Sequence, residues 1–424
     1  MQRHKILLIS LRDPFLDSDR IMPPLGVMSL QAYLMEQHIE TDIVNDFKLD
    51  DIGRYQMFTH FGISCMTPER KQAYEIVRAI KREYPDKKVI IGGPHANYYT
   101  DECREEMFDH IVIGDGEVAL KHILSGESND RIVSYPLTEE EMNALPLPYR
   151  EPSFLRQYSF NMQGLQASTI LTAKGCPMQC KFCEDAGTKV RLYSADYVGR
   201  QILQIIRAGY DGVMFFDDIF ALSIKRVREL SCEIAKYNIH YRCFGHAKSM
   251  TEEMIKLLVD SGCIETGFGS ESGSQKILNL INKGTTVEQN MRYVELCNKY
   301  GVKVKAFILL GLPGEDKATI KATRDYMKFL MNNRFINRFG RRITNDFDIT
   351  IYFPYKGTRI RDDIDNGSQE YDLFLACDPD SMNGVYKGKC GASEATISTS
   401  SLRRDEIVSI QKELLAEFKP LVVV

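Results

Sequence analysis

The sequence predicts an α/β protein: a doubly wound, Rossmann-like domain, then a partial (β/α)6 barrel of the triosephosphate-isomerase kind, then a small α+β extension. Three observations predict it. Short apolar runs alternate with helix-like stretches up to about residue 125, the pattern of a parallel sheet covered on both faces. A second series of strand-and-helix repeats runs between residues 167 and 355. At 424 residues the chain exceeds one average domain, so each unit has room for its own core.

In the first domain, residues 1–125, Lys5–Ser10 reads as a strand. Leu25–Glu36 has helical spacing and follows Pro23-Pro24, which suits a helix start. Thr41–Asn45 and His60–Met66 are the second and third strands. Thr67–Tyr84 is an amphipathic helix capped by Thr67, with Pro68 in its first turn and Ile76, Val77 and Ile80 on its apolar side. Val89–Ile91 and His110–Ile113 are the fourth and fifth strands. Ligands of such sheets sit at the carboxyl ends of the strands. Three of those ends carry suggestive loops: Ser64-Cys65-Met66, Gly92-Gly93-Pro94-His95-Ala96 and Gly114-Asp115-Gly116-Glu117. Glycine lets a backbone approach a bulky ligand closely, although a glycine after a strand is most often a tight turn.

Polar Ser125–Asp130 closes this domain, and residues 126–166 read as a linker. Within it Leu137–Pro152 holds three prolines and acidic Glu139–Glu141, an extended composition. The second domain, residues 167–355, has strands at Gln166–Thr172, Gly212–Phe216, Tyr241–Phe244, Glu265–Gly269, Lys303–Leu309 and Asp348–Phe353. Helices at Tyr197–Arg207, Lys225–Tyr237, Glu252–Ser261, Thr286–Tyr300 and Lys317–Met331 separate them. The chemistry of such a barrel lies at the carboxyl ends of its strands.

The first of these strands runs into Lys174-Gly-Cys-Pro-Met-Gln-Cys-Lys-Phe-Cys183. Cys176, Cys180 and Cys183 are spaced C-x3-C-x2-C. Three thiolates can hold three irons of a cubane and leave the fourth iron open. An open iron can bind and reduce a substrate, whereas a fully ligated cluster only passes electrons. Structural zinc wants four ligands, and no His or further Cys lies between residues 146 and 213. Three is the wrong number for disulfides, and a bacterial ferredoxin run has different gaps and a fourth Cys before Pro.

The triad resembles the signature of the radical S-adenosylmethionine (SAM) superfamily. That resemblance implies a [4Fe–4S] cluster on the three cysteines, with the amino and carboxylate groups of SAM on the open iron and Phe182 near the adenine. It also implies reductive cleavage of SAM to a 5′-deoxyadenosyl radical that takes a hydrogen atom from substrate. Pro23-Pro-Leu-Gly-Val-Met-Ser-Leu, Gly92-Gly-Pro-His95 and Gly114-Asp-Gly-Glu117 resemble the cobalamin-binding domain fused to many such enzymes. Ser64, Gly92, Gly93, His95, Gly116 and Glu117 are the implied cobalamin contacts. There is no Asp-x-His-x-x-Gly, the motif whose His binds cobalt from below in other cobalamin proteins. His95 is either a metal ligand or a loop residue hydrogen-bonding a ligand edge or backbone, and the second is expected.

Further strand ends supply implied SAM contacts. Asp217 and Asp218 suit a cationic amino group or, alternatively, a helix cap. Glu271 would accept hydrogen bonds from ribose or ammonium, or start a helix. In Gly311-Leu-Pro313-Gly-Glu315 the backbone can pass close to adenosine. Lys283-Gly-Thr-Thr286 and Tyr352-Phe-Pro-Tyr-Lys-Gly-Thr358 also resemble segments of the superfamily. Arg242 and His246 would face substrate or the SAM carboxylate, although a structural hydrogen-bonding role is expected.

The last residues, 356–424, are expected to cap the open side of the barrel and end in an amphipathic helix, Leu402–Phe418. Cys390 would donate a hydrogen atom if the reaction were an epimerisation, and a stray thiol is the plainer expectation. Hydrophobic content of 44%, charged content of 26% and a net charge of −4 give no case for nucleic acid or an anionic membrane. No run approaches the roughly 18 apolar residues of a membrane helix. Eleven cysteines without a secretory signal point to reduced thiols in the cytoplasm. The expected activity is a cobalamin-dependent methylation of an unactivated carbon in a small molecule, served by an external one-electron reductant such as flavodoxin or ferredoxin. The alternatives are a cobalamin-independent or non-methylating epimerase, dehydratase or rearrangement enzyme, and an iron–sulfur sensor or electron-transfer module.

Overall fold

The computed structural model describes residues 4–12, 18, 20–368, 370–381 and 394–422. Cys390 lies outside the described residues. The chain divides into two compact units, Met1–Ser159 and Phe160–Val424.

In the first unit β1 (Lys5–Ser10), β2 (Glu40–Asn45), β3 (His60–Ser64), β4 (Lys88–Gly92), β5 (His110–Ile113) and β6 (Ile132–Ser134) form one parallel sheet. Their order is β2-β1-β3-β4-β5-β6, a doubly wound arrangement. Both faces are buried. Leu7 and Ile9 pack with Phe61, Ile63 and Ile76, Val77 and Ile80 of helix Arg70–Glu83. Ile6 and Leu8 face the other way, onto Val27 and Leu34 of helix Leu25–Glu36 and Leu120 and Ile123 of helix Gly116–Ser125. A strand covered on both sides has no polar face, so its sequence reads as a continuous apolar run. Thr67 does not cap helix Arg70–Glu83 as expected; it opens a 3-10 turn, Thr67–Glu69, whose Glu69 carboxylate accepts from the Met66 N–H at 2.8 Å. Strand order reverses between β1 and β3, which opens a crevice at the carboxyl ends of these two strands.

Residues 126–166 are not a bare linker. Ile132–Ser134 is the sixth strand of the first sheet, and Glu139–Ala144 is a helix with a capping box from Thr138 and Glu141. The acids that suggested an extended composition are the first turn of that helix. Phe160–Met162 belongs to the second unit.

There β7 (Phe160–Met162) and β8 (Leu165–Ile170) form a hairpin through Gln163 and Gly164, both at positive φ (51° and 94°). A short pair, β9 (Ala173–Lys174) and β10 (Arg191–Leu192), follows. Then come β11 (Gly212–Phe215), β12 (His240–Phe244), β13 (Cys263–Glu271), β14 (Lys303–Leu310), the pair β15 (Phe335–Ile336) and β16 (Arg342–Ile343), and β17 (Asp346–Ile351). The large sheet has the order β17-β14-β13-β12-β11-β8-β7. Six parallel strands thus run side by side in chain order without pairing end to end, a partial barrel. The intervening helices start where Ser or Thr can cap them: Ser194, Ser223, Thr251 and Thr286 each accept from a backbone N–H three residues on. Such caps contribute about 1 kcal/mol each.

The C-terminal residues add helix Arg359–Asp365 and a pair, β18 (Phe374–Leu375) with β19 (Ile397–Ser398). Helix Arg404–Phe418 packs on β17: Phe418 meets Phe347 at 6.4 Å, and Gln411 donates to the Ile349 carbonyl at 2.9 Å. It completes the sixth strand-helix repeat. Among the described residues no helix is long and apolar enough to cross a membrane.

Candidate functional site

The cysteine loop follows β8 and is held by its backbone. Gly175 has φ +92°, and a Cβ there would come 2.5 Å from the Lys189 carbonyl. The Cys176 N–H donates to Thr188 Oγ1 at 2.9 Å, and the Gly187 N–H to the Met178 carbonyl at 2.7 Å. Lys181 donates to the Ile281 carbonyl and accepts from the Ile360 N–H, at 2.9 and 3.0 Å. Its ammonium pairs with Glu370 at 2.7 Å. Cys176 and Cys180 are buried and Cys183 is half-buried. Burial pushes all three thiols up, Cys183 to about 12. Their deprotonation therefore needs a metal's charge. No three His, Cys, Asp or Glu side chains among the described residues converge as a single ion requires. A cubane asks for something else, one thiolate on each of three irons, and a loop with three inward thiols and a fixed backbone suits it.

Asp217 holds this loop from behind. It is 2% exposed, and its carboxylate accepts from the backbone of Thr172 and Ala173 at 2.6 and 3.2 Å and from Thr172 Oγ1 at 2.5 Å. Burial outweighs these bonds and pushes it up to about 6. Every contact of Asp217 fastens the turn between β8 and the cysteines, so it is a positioning residue rather than a ligand for a cation. Asp218 faces outward beside Cys176, and burial of its carboxyl, then Asp185, pushes it up to about 6.

At the end of β13 the ladder is irregular between Gly269 and Glu271. Glu271 has φ +57°, a conformation that costs a non-glycine residue on the order of 1–3 kcal/mol. Asn290 holds the preceding carbonyl, of Ser270, at 3.2 Å. The Glu271 carboxylate, 5% exposed, pairs with Lys283 at 2.6 Å. Gly269 leaves the room, since a Cβ there would run into the Glu271 carboxylate and lie 2.6 Å from Lys283 Nζ. Lys283 also stands over the Phe182 ring at 5.7 Å. Burial pulls its ammonium down, but Glu271 and the thiols outweigh it and the net direction is up. Glu271, Lys283 and Phe182 thus form one charged, partly aromatic wall at the cysteine loop. The sequence marked Glu271 and Phe182 separately; the pairing depends on a bulge that no local pattern announces.

Gly311 and Pro313 do not join this wall. A Cβ on Gly311 would collide with Ile397, and its N–H donates to Glu315 at 2.5 Å. Its openness admits close packing of β19, and Pro313 is buried in the same turn. Glu315 is fully buried and pushed up to about 8 by burial, so it is largely protonated at neutral pH. Arg242 pairs with Glu265 at 3.0 Å, and the His246 imidazole, pushed down to about 4 by burial and then by Lys283, is neutral.

At the carboxyl edge of the first sheet, Ser10, Ser64 and Gly92 are neighbours in one row across β1, β3 and β4. Beyond them Gly93 has φ +95°, and a Cβ on it would lie 2.8 Å from the Cys65 carbonyl. The row makes a shelf of small side chains at the strand-order reversal, a shape that admits a broad ligand, with exposed Met66 at its rim. Ser10 was not singled out by sequence. His95 is fully buried, with its ring nitrogens on Tyr74 (2.7 Å) and Thr67 (3.4 Å), and it is stacked on Tyr99. It braces the glycine loop through these two side chains, whereas the plainer reading expected a ligand edge or backbone as its partner. A Cβ on Gly116 would come within 2.9 Å of Leu30, so this glycine serves helix packing, and Glu117 is buried behind it. Of the six implied cobalamin contacts, only Ser64, Gly92 and Gly93 line the shelf.

Comparison with known proteins agrees with both units. Residues 170–327 match the model of the Radical SAM superfamily, and residues 15–124 match that of the B12 binding domain. An uncharacterized methyltransferase of Pyrococcus horikoshii is 25% identical over 80% of this chain and 77% of its own length. The bacteriochlorophyllide d C-8(2)-methyltransferase of Chlorobaculum tepidum is 24% identical over 81% and 77%. Among solved structures, the radical S-adenosylmethionine methyltransferase TsrM from Kitasatospora setae, with cobalamin and a [4Fe–4S] cluster bound, superposes with a TM-score of 0.70. It is 16% identical, over 100% of this chain and 89% of that one. The cobalamin-dependent S-adenosylmethionine radical enzyme OxsB gives 0.66 at 17% identity, over 86% of this chain and 56% of that one. These two likenesses establish the fold. With a shelf in a B12-binding domain and a cysteine loop in a radical SAM barrel, the chain belongs to the cobalamin-dependent radical SAM enzymes, whose cofactors are a [4Fe–4S] cluster, S-adenosylmethionine and cobalamin.

Proposed function

We propose that the protein transfers a methyl group to an unactivated carbon of a small molecule. The observation that carries this reading is the presence of both sites in one chain, the small-residue shelf at Ser10, Ser64 and Gly92 and the cysteine loop facing Glu271 and Lys283. When bound, the cluster with SAM supplies a 5′-deoxyadenosyl radical, and methylcobalamin supplies a methyl group. The chain's own residues bind and orient. Cys176, Cys180 and Cys183 hold the cluster, Asp217 fixes their loop, and the Glu271–Lys283 pair with Asp218 offers both signs of charge to the amino and carboxylate groups of SAM. Phe182 offers a face to the adenine, and the shelf holds the corrinoid without a protein His. The methyltransferases among its relatives support methyl transfer over epimerisation. A flavodoxin- or ferredoxin-type reductant in the cytoplasm would supply the electron.

Anaerobic reconstitution with iron and sulfide, followed by cobalamin quantitation and trapping of label from methyl-labelled SAM, tests this. Stoichiometric corrinoid, 5′-deoxyadenosine and labelled product are expected. A protein that binds cluster and SAM but no corrinoid would sink the methyl-transfer reading.

A further inference from the structure

The lumen of the partial barrel is open, and its lining is particular. Inward side chains of a closed barrel pack into filled layers. Here burial alternates along β14: Val304, Ala306, Ile308 and Leu310 are fully buried under helices, whereas Lys305, Phe307 and Leu309 are half-buried. Phe244 of β12 and Thr350 of β17 are half-buried as well. Three rings run across this wall. Phe216, just beyond β11, is 48% exposed and lies edge-on to Phe244 at 5.9 Å, and Phe244 meets Phe307 at 6.0 Å. Gly267 of β13 stands between the last two; a Cβ there would come within 2.7 Å of Phe244 and 3.2 Å of Phe307. The wall adjoins the cysteine loop, because Phe307 is paired in register with Gly269, over which the Glu271–Lys283 pair lies.

Next along the strands is a charged layer. Arg242 lies 5.3 Å from the Phe244 ring and pairs with Glu265 at 3.0 Å. Lys305 pairs with Asp348 at 3.0 Å and Asp346 at 3.6 Å, and Lys419 pairs with Asp346 at 3.1 Å. Lys303, buried and paired in register with Glu265, adds a fourth cation beside these three acids. Arg242 Nε and Asp348 Oδ1 are buried with no hydrogen-bond partner, one spare donor and one spare acceptor.

We propose that this lumen binds a planar aromatic or conjugated small molecule. Its ring lies against Phe216, Phe244 and Phe307, and its polar end on Arg242 and Asp348. Edge-to-face rings favour a further flat π-system over a saturated one of equal size. The inference rests on the reading that substrate reacts in the lumen beside the cysteine loop.

The chain has no Trp, so indole fluorescence reports an added probe alone. The anaerobically reconstituted protein is titrated with indole and L-tryptophan, and with cyclohexylalanine as saturated competitor. Indole and tryptophan should bind, about tenfold more weakly in Phe244→Ala and less so in Phe244→Leu, as loss of one aromatic contact predicts. Variants that keep their iron serve as folded. No indole binding, equal binding in Phe244→Ala and Phe216→Ala, or equal competition by cyclohexylalanine overturns the proposal. Deoxyadenosine release and corrinoid content, read on the same samples, report the methyl-transfer reading separately.

Discussion

At the carboxyl edge of the first sheet the side chains shrink to Ser10, Ser64 and Gly92, whereas inside the second the strands keep Arg242, Lys305, Phe244 and Phe307. Both sheets are parallel, and both leave their chemistry at strand ends. The difference lies behind those ends. In the first unit the polar groups are closed on one another: His95 on Tyr74, Tyr74 on Glu102 at 2.9 Å, and Arg70 on Glu102 at 3.4 Å. With these groups engaged, recognition at this edge falls to shape and backbone. In the second unit ion pairs line an open lumen, and a carboxylate sits in a strained conformation at its mouth. A shelf suits a large rigid group held along one face. A cup suits small groups that must be oriented.

The comparison breaks most sharply if the two sites depend on one another. Cys176→Ala should remove essentially all cluster iron while corrinoid binding persists within about twofold. Gly93→Val should do the reverse. The β-branched side chain meets the Cys65 carbonyl at a φ of +95° that costs it on the order of 1–3 kcal/mol, enough to lower corrinoid affinity at least about tenfold. Iron content and corrinoid absorbance of the same two proteins read both effects. Loss of both cofactors in either variant would mean that shelf and cup are one device.

Gly269→Ala sharpens the second half of the comparison. The added methyl displaces the Glu271 carboxylate from Lys283, although neither charge is removed. SAM affinity should fall about ten- to a hundredfold, the range for disturbing a buried hydrogen-bonded charge pair. Iron content should hold, because the thiols are fixed by Gly175, Thr188 and Asp217 instead. Equilibrium dialysis of SAM against the variant decides it, and unchanged affinity would remove the pair from the SAM site.

How much of this was legible follows from range. The apolar runs of β1 and β5 and the helix over Leu25–Glu36 coincide with the structure because burial on both faces or on one stripe is a local pattern. The cysteine loop was legible because three ligands fall within one turn of chain. Strand β6 and the Glu139–Ala144 helix were not, since prolines and acids there resemble a linker until the first sheet supplies a sixth place. The role of Asp217 was misjudged for one reason. A residue type announces what it can bind, and the neighbour it binds, Thr172, is distant in sequence.

The smallest expected effect concerns pH, and it separates the units by sign. His60, on β3, is pushed down to about 4 by burial and then by His4 and His110. Its folded form binds fewer protons than the unfolded chain, so its contribution is present above about pH 6.5 and is lost as pH falls through 4. Glu315 runs the other way. Its folded pKa of about 8 lies above the model-peptide value of 4.5, so its contribution is complete below 4.5 and is lost as pH rises through 8. Glu315→Gln keeps an acceptor for the Gly311 N–H and removes the titration. It should flatten the alkaline decline in thermal stability by on the order of 1–3 kcal/mol, or a few degrees, and leave the acid side untouched. His60→Gln should flatten the acid side alone. If Glu315→Gln instead alters the acid limb, the carboxyl is not held neutral in the turn after β14.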